Sequence, residues 1–288
     1  MFKKLIKYDL KAVAKLWWIG VLVSVAAAVI GALLMRFSIY TTENPTDPFT
    51  SVLGSFAMIA SIFCILAIEL AFLFTVILVF VRFYKNFFTD EGYLTFTLPV
   101  KRSTLFLAKT VNASIWLTAH FAVTVASLAL FALFVMPAEN NGGIINPIIF
   151  TTIGEVLGEI WSAIGPWSIV FSAEALLILF ISMLFTVSLI HFCISFGSVV
   201  VKKAKLILSL GIYYLISTAI ASIGQFALFL FAGLGVAGLE TLTEGVPLDQ
   251  VCAAITFLLL GIAAALATVA LVLYSVTQYL LDRKLNLA

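Results

Sequence analysis

The sequence predicts an all-α, polytopic integral membrane protein with six transmembrane helices. Three observations carry that prediction. Of 288 residues, 63% are hydrophobic and only 10% are charged, whereas a soluble domain carries about 25% charged residues to face water. The apolar residues, with a mean hydropathy of +1.20, fall in runs as long as the ~20 residues that cross a bilayer. Lys and Arg are also divided between alternate loops in a way that an odd number of crossings would scramble.

Taken in order, residues 1–16 place Phe2, Leu5, Ile6, Leu10, Val13 and Leu16 at helical spacing. Lys3, Lys7, Lys11 and Lys15 form a row at four-residue steps on another face. Such an amphipathic helix is expected to lie in the headgroup plane with its lysines against anionic lipid. A plain basic flank that only fixes topology is the alternative. The apolar run Trp17–Met35 follows. It exceeds the roughly 7–15 residues of a signal-peptide core and no small-x-small cleavage site succeeds it, so it is expected to be a retained first span.

The remaining spans are expected at 52–81, 110–136, 167–201, 206–235 and 251–281. The second, fourth and fifth exceed one bilayer thickness and must tilt, break or protrude. Between the third and fourth, Ile149, Ile153, Val156, Leu157, Ile160 and Ile164 suggest a short helix on the outer interface. Before the last span, Gly233, Gly235, Gly238, Gly245 and Pro247 are expected to interrupt regular helix. A re-entrant turn near 224–249 and an ordinary glycine-rich loop both fit that segment. No repeat or low-complexity tract breaks the layout, so residues 1–288 are read as a single transmembrane domain.

Orientation follows from the basic residues. With the N-terminus inside, every one of the 16 Lys and Arg residues except Arg36 falls on the inner side. The outer loops carry Glu43, Asp47, Glu139, Glu155, Glu159, Glu240, Glu244 and Asp249. The expected topology is therefore N-in/C-in.

Several chemistries lack their residues. There is no GxxxxGK[ST] phosphate loop, no HExxH, no GxSxG and no CxxC, patterns that respectively cradle phosphate, bind zinc, present a nucleophilic serine and run thiol redox chemistry. Cys64, Cys193 and Cys252 all lie in apolar runs and are odd in number, which argues for buried small hydrophobes rather than disulfides. The chain is expected to be no enzyme by itself, to bind no cofactor or metal, and to have no nucleic-acid partner.

One polar, charged segment stands inside the body of the chain. Residues 82–109 (RFYKNFFTDEGYLTFTLPVKRSTLFLAK) carry five basic and two acidic groups and are rich in aromatics. Phe87–Thr97 mixes those aromatics and Leu94 with Asp90 and Glu91, a composition suited to a short amphipathic helix parallel to the membrane. Pro99 biases Leu98 away from helix, and Ser103 is placed to cap the third span. A short helix joined stiffly to two spans can transmit a push from a soluble partner. A solvated connector that only sets topology is the plainer alternative.

The run from Asp90-Glu91-Gly92-Tyr93 through Leu98-Pro99-Val100-Lys101-Arg102 to Ala108-Lys109 resembles the first cytoplasmic loop of ABC-2 type transporter permeases. It is especially similar to the small six-span permeases of Gram-positive bacteria, whose ATPase is a separate polypeptide. The layout resembles theirs as well, from the basic N-terminal helix to the irregular segment before the last span. The resemblance implies a coupling helix in this loop, seated in a cleft of an ABC ATPase subunit. Glu91, Tyr93 and Leu94 would lie on or near that helix, with Pro99 and Arg102 marking the return into the third span. It further implies a second permease subunit (homodimer or sister permease), ATP and Mg on the partner, and export across the bacterial cytoplasmic membrane. The short outer loops depart from family members that carry large extracellular domains.

Three ionisable residues lie deep in the spans: Glu69, His120 and His191. Counted from the nearest inner charges at 1.5 Å per residue, each sits roughly 16–20 Å into the bilayer. A mid-membrane carboxylate costs several kcal/mol unless paired or protonated. Glu69 meeting one histidine could therefore line a translocation path, or could fix the bundle with no role in transport. Two rival functions follow from these features. One is a secondary transporter using Glu69 and the histidines as a proton relay, and the other a non-transport immunity or sensor protein whose inner loop binds a regulator.

Overall fold

In hydrocarbon a backbone must satisfy its own hydrogen bonds, and runs this apolar do so as helices. The computed structural model describes residues 2–44, 47–97, 99–135, 148–201, 204–243 and 245–283. They form eight helices and no strand: α1 (Phe2–Glu43), α2 (Pro48–Phe88), α3 (Asp90–Phe96), α4 (Arg102–Val135), α5 (Ile148–Ile164), α6 (Trp167–Val200), α7 (Lys205–Thr243) and α8 (Leu248–Arg283). Six of them (α1, α2, α4, α6, α7 and α8) are long and apolar enough to cross a membrane, each overlapping one expected span.

The helices outrun those spans. α1 is one 42-residue helix, about 63 Å at 1.5 Å per residue against a hydrocarbon core of about 30 Å. The basic segment thus continues from Phe2 into the first span with no break, where a separate surface helix over 1–16 was expected. Lysines are good helix formers, and nothing between Lys15 and Trp17 stops the turn. α7 likewise continues through Gly233, Gly235 and Gly238 to Thr243, correcting the expected interruption. A helical glycine costs about 1 kcal/mol relative to alanine, less than exposing its backbone to lipid. The turn comes later, at Gly245 with φ +74.

Helix ends follow from their residues. Asp47 caps α2: its Oδ1 accepts from the Thr50 amide at 2.9 Å, while the Thr50 hydroxyl donates to the Asp47 carbonyl at 2.8 Å. Pro48 occupies the first helical position, where its missing N–H is harmless. Hydrogen bonding to the Asp47 carboxyl from the Thr50 side chain and from the Thr50 amide holds it below its usual value of 3.8. Ser103 does not cap α4. The helix begins at Arg102, and the Lys101 carbonyl accepts from Thr104 and Leu105. α5 matches the expected outer-loop helix and exposes Ile153, Leu157 and Trp161. Gly165, at φ +54, turns the chain into α6.

Two compact units emerge, with no linker in the sequence between them. The first comprises Met1–Val79 and Val111–Ile160, the second Phe80–Thr110 and Trp161–Ala288, so α2, α4 and α5 contribute to both.

The first unit packs α1, α2 and α4 through small residues, as bilayer helices do. Gly20, Ser24, Ala27, Ala28 and Gly31 form the buried stripe of α1. A Cβ built at Gly31 would lie 2.6 Å from Cβ of Cys64 and 3.2 Å from the Phe131 ring. Around that level Ala27, Ala28 and Ile68 form an apolar core, with Cys64, Ala67, Leu130 and Phe131 packed on it.

In the second unit α6 packs mainly on α8 and also on α7. Gly197 of α6 meets Ser209 of α7 so closely that no Cβ fits. The turn between these helices uses Ala204 at φ 58, a left-handed conformation that costs a non-glycine residue about 1–2 kcal/mol. At the other end Trp167 donates to Asp249 at 2.9 Å, tying the start of α6 to the start of α8.

Candidate functional site

Two groups of side chains stand out, one in each unit. In the second unit, α2 ends at Phe88, and the Thr89 hydroxyl closes on the Lys85 carbonyl at 2.6 Å. The Gly92 amide then donates to the Thr89 carbonyl at 2.7 Å, starting α3. The short helix is held at its far end by Phe96, which packs edge-on against Phe87 at 5.7 Å. Arg102 stacks over the same Phe96 ring at 5.0 Å. Its Nη1 also reaches the carbonyls of Leu281 at 3.4 Å and Asp282 at 3.5 Å. Those carbonyls belong to the last turn of α8, where backbone acceptors lack helical partners and the helix dipole is negative. Arg102 therefore links α3, the start of α4 and the end of α8.

Of the residues expected here, Glu91 is exposed on α3. Tyr93 and Leu94 lie on the same helix, with side chains outside the described residues. Pro99 is exposed between α3 and α4. The reach of Arg102 to α8 was not legible in the sequence, since about 180 residues separate them.

Above this loop His191 is buried in an aromatic box. Phe83 stacks on it with ring centroids 3.9 Å apart, and Phe106 packs at 5.6 Å with Tyr274 stacked behind. His191 Nδ1 lies 3.3 Å from the Thr110 hydroxyl, which donates its proton to the Phe106 carbonyl at 3.1 Å. A hydroxyl has one proton, so its oxygen is left to accept from Nδ1–H. Glu174 of α6 is buried as well, and its Oε2 has no hydrogen-bond partner.

The first unit holds His120. Its Nδ1 is 2.6 Å from the Thr75 hydroxyl. Trp17 and Phe72 each present an edge to it at 6.0 Å. A Cβ at Gly20 would come within 2.8 Å of its Cε1, so only glycine lets α1 approach here. Beside Gly20 a groove of about 330 Å³ runs between α1 and α2, lined by Ile19, Val23, Leu70 and Phe74 among others. Glu69 faces away: it is exposed on α2, on a stripe with Ile62, Leu66, Leu73 and Ile77. His120 Nδ1 takes Thr75 as its partner instead. Thr75 and Thr110 escaped the sequence reading because Thr in an apolar run gives no signal, and the rotational phase between helices is not written in a sequence.

Among the described residues no group of three His, Cys, Asp or Glu could hold a metal ion. Compared with known proteins, the chain matches no family model, no curated protein and no solved structure.

Proposed function

We propose that this chain is the membrane-spanning permease subunit of an ATP-driven ABC-2 type exporter. Its ATPase is a separate polypeptide that carries ATP and Mg, and a second permease subunit, identical or a sister, completes the pathway. Both termini face the cytoplasm of a bacterium, on the side of the lysines and arginines, which places α3 there too. The observation that supports this most is α3 itself. It is a seven-residue helix between two long apolar helices, held by Phe87 on one side and Arg102 on the other. Because Arg102 also reaches the end of α8, force applied to α3 is delivered to two spans at once. A connector that only set topology would need no such clamp.

The proton-relay alternative finds less support, since His120 Nδ1 is partnered by Thr75 and Glu69 is exposed on α2. Site-specific photocrosslinking tests the proposal. A benzophenone amino acid at position 91 should join the chain to an ATP-binding polypeptide in native membranes. Adducts with lipid alone, or with a protein that binds no nucleotide, would refute it.

A further inference from the structure

The buried face of α4 in the first unit carries a row of polar residues. Asn112, Trp116, His120, Thr124 and Ser127 recur every three or four residues along it. Asn112, His120, Thr124 and Ser127 are 6% exposed or less. Each of the five carries a buried polar atom without a hydrogen-bond partner: Asn112 Oδ1, Trp116 Nε1, His120 Nε2, Thr124 Oγ1 and Ser127 Oγ. Trp17 of α1, whose ring lies 4.7 Å from that of Trp116, adds a sixth at its Nε1. Ordinarily a Ser or Thr hydroxyl in a helix returns its proton to the carbonyl one turn back. Ser24, Thr75 and Thr110 have found partners, while Thr124 and Ser127 have not.

Left alone, each such group costs several kcal/mol in a bilayer, so a line of them asks for a ligand. From Asn112 to Ser127 the line spans about 22 Å, most of the ~30 Å hydrocarbon thickness. Successive positions are separated by a rise of about 4.5–6 Å. One water hydrogen-bonded to two groups bridges about 5.6 Å at ~2.8 Å per bond, and a buried water needs two to four polar partners. No Asp, Glu, Lys or Arg belongs to the line, so it offers a charged solute no counter-charge.

We propose that the interface of α1, α2 and α4 is a closed water path inside the membrane, running from Asn112 to Ser127. Its outer end is shut by the apolar layer of Ala28, Ile68, Leu130 and Phe131, in the way hydrophobic constrictions close channels by excluding water. His120 sits at its middle, with Thr75 on one ring nitrogen and the path on the other. In the structure the seam is packed tight at Gly20, and thermal parting of α4 from α1 in the chain alone hydrates it. The inference goes beyond the proposed function and concerns the chain alone, with or without an ATPase.

Thiol accessibility tests it in proteoliposomes of the full chain with no ATPase present. The background is Cys64→Ala, Cys193→Ala, Cys252→Ala, and the probe is a small, permanently charged methanethiosulfonate. Thr124→Cys and Ser127→Cys, both near-isosteric, are compared with Val125→Cys and Leu128→Cys on the exposed face of the same turns. Only a hydrated thiol ionises and reacts, so the seam cysteines should be modified about tenfold faster or more than their exposed neighbours. Equal rates, at either seam position, would overturn the path. Adding Phe131→Ser to the Ser127→Cys chain should raise modification from the outer face. An unchanged outer-face rate would overturn the closure assigned to the apolar layer. Loss of the ATPase from the protein would leave all these rates as they are, so this test and that of the proposed function fail separately.

Discussion

Thr75 and His120 join α2 to α4 in the first unit through a side-chain hydrogen bond of 2.6 Å. Thr75→Val keeps the shape of the side chain and removes the partner, leaving both imidazole nitrogens unsatisfied. Interhelical hydrogen bonds in membranes are worth about 0.6 kcal/mol on average and up to about 1.7. Because His120 is fully buried, the loss should fall at the upper end, read as a lowered thermal unfolding midpoint in detergent. Thr75→Ser should restore most of it; if the Val variant unfolds with the wild type, the bond contributes nothing. Glu69 behaves differently. Exposed on α2, it should tolerate Glu69→Gln with no loss of stability by the same measurement. A destabilised Gln variant would mean that the carboxylate has a partner in the fold.

The elements were legible to different degrees, and the reasons are physical. Hydropathy found the six long helices because the exclusion of charge from hydrocarbon is a strong, local signal. The composition of Phe87–Thr97 likewise anticipated α3. The unbroken courses of α1 and α7 were missed because charge and glycine are evidence about membrane depth and helix cost, not about where hydrogen bonding stops. The capping of α2 was missed as well, although Asp47-Pro48-Phe49-Thr50 spells it locally. That cap carries its own prediction. Thr50 stabilises the charged form of Asp47 and lowers its pKa from 3.8, so the stabilisation is present above the unfolded pKa and is lost as pH falls through the folded one. Wild type should therefore exceed Asp47→Asn in stability at neutral pH, and the gap should close as pH drops below about 4. A gap unchanged into strong acid would show that the cap acts without its charge.

At the scale of the whole molecule the account joins two separate devices. The second unit carries a lever, α3, clamped between Phe87 and Arg102 and tied to the end of α8. The first carries a buried polar seam along α4. A sequence shows the lever in outline, as a charged aromatic interruption between two spans, but its attachment to α8 joins residues at opposite ends of the chain. The spacing of the seam is written in α4 at three- and four-residue steps, but its burial is not, because that requires α1 and α2 to pack on the same face.

The central claim is that α3 docks an ATPase, and purification of the chain from native membranes under mild detergent tests it most directly. The account predicts a stoichiometric nucleotide-binding polypeptide that survives washing. Glu91→Lys, a charge reversal on the exposed surface of α3, should lower its recovery about tenfold or more, the equivalent of about 1.4 kcal/mol of docking energy. Isolation of the chain with no nucleotide-binding partner, or a partner whose recovery is indifferent to Glu91→Lys, would contradict it.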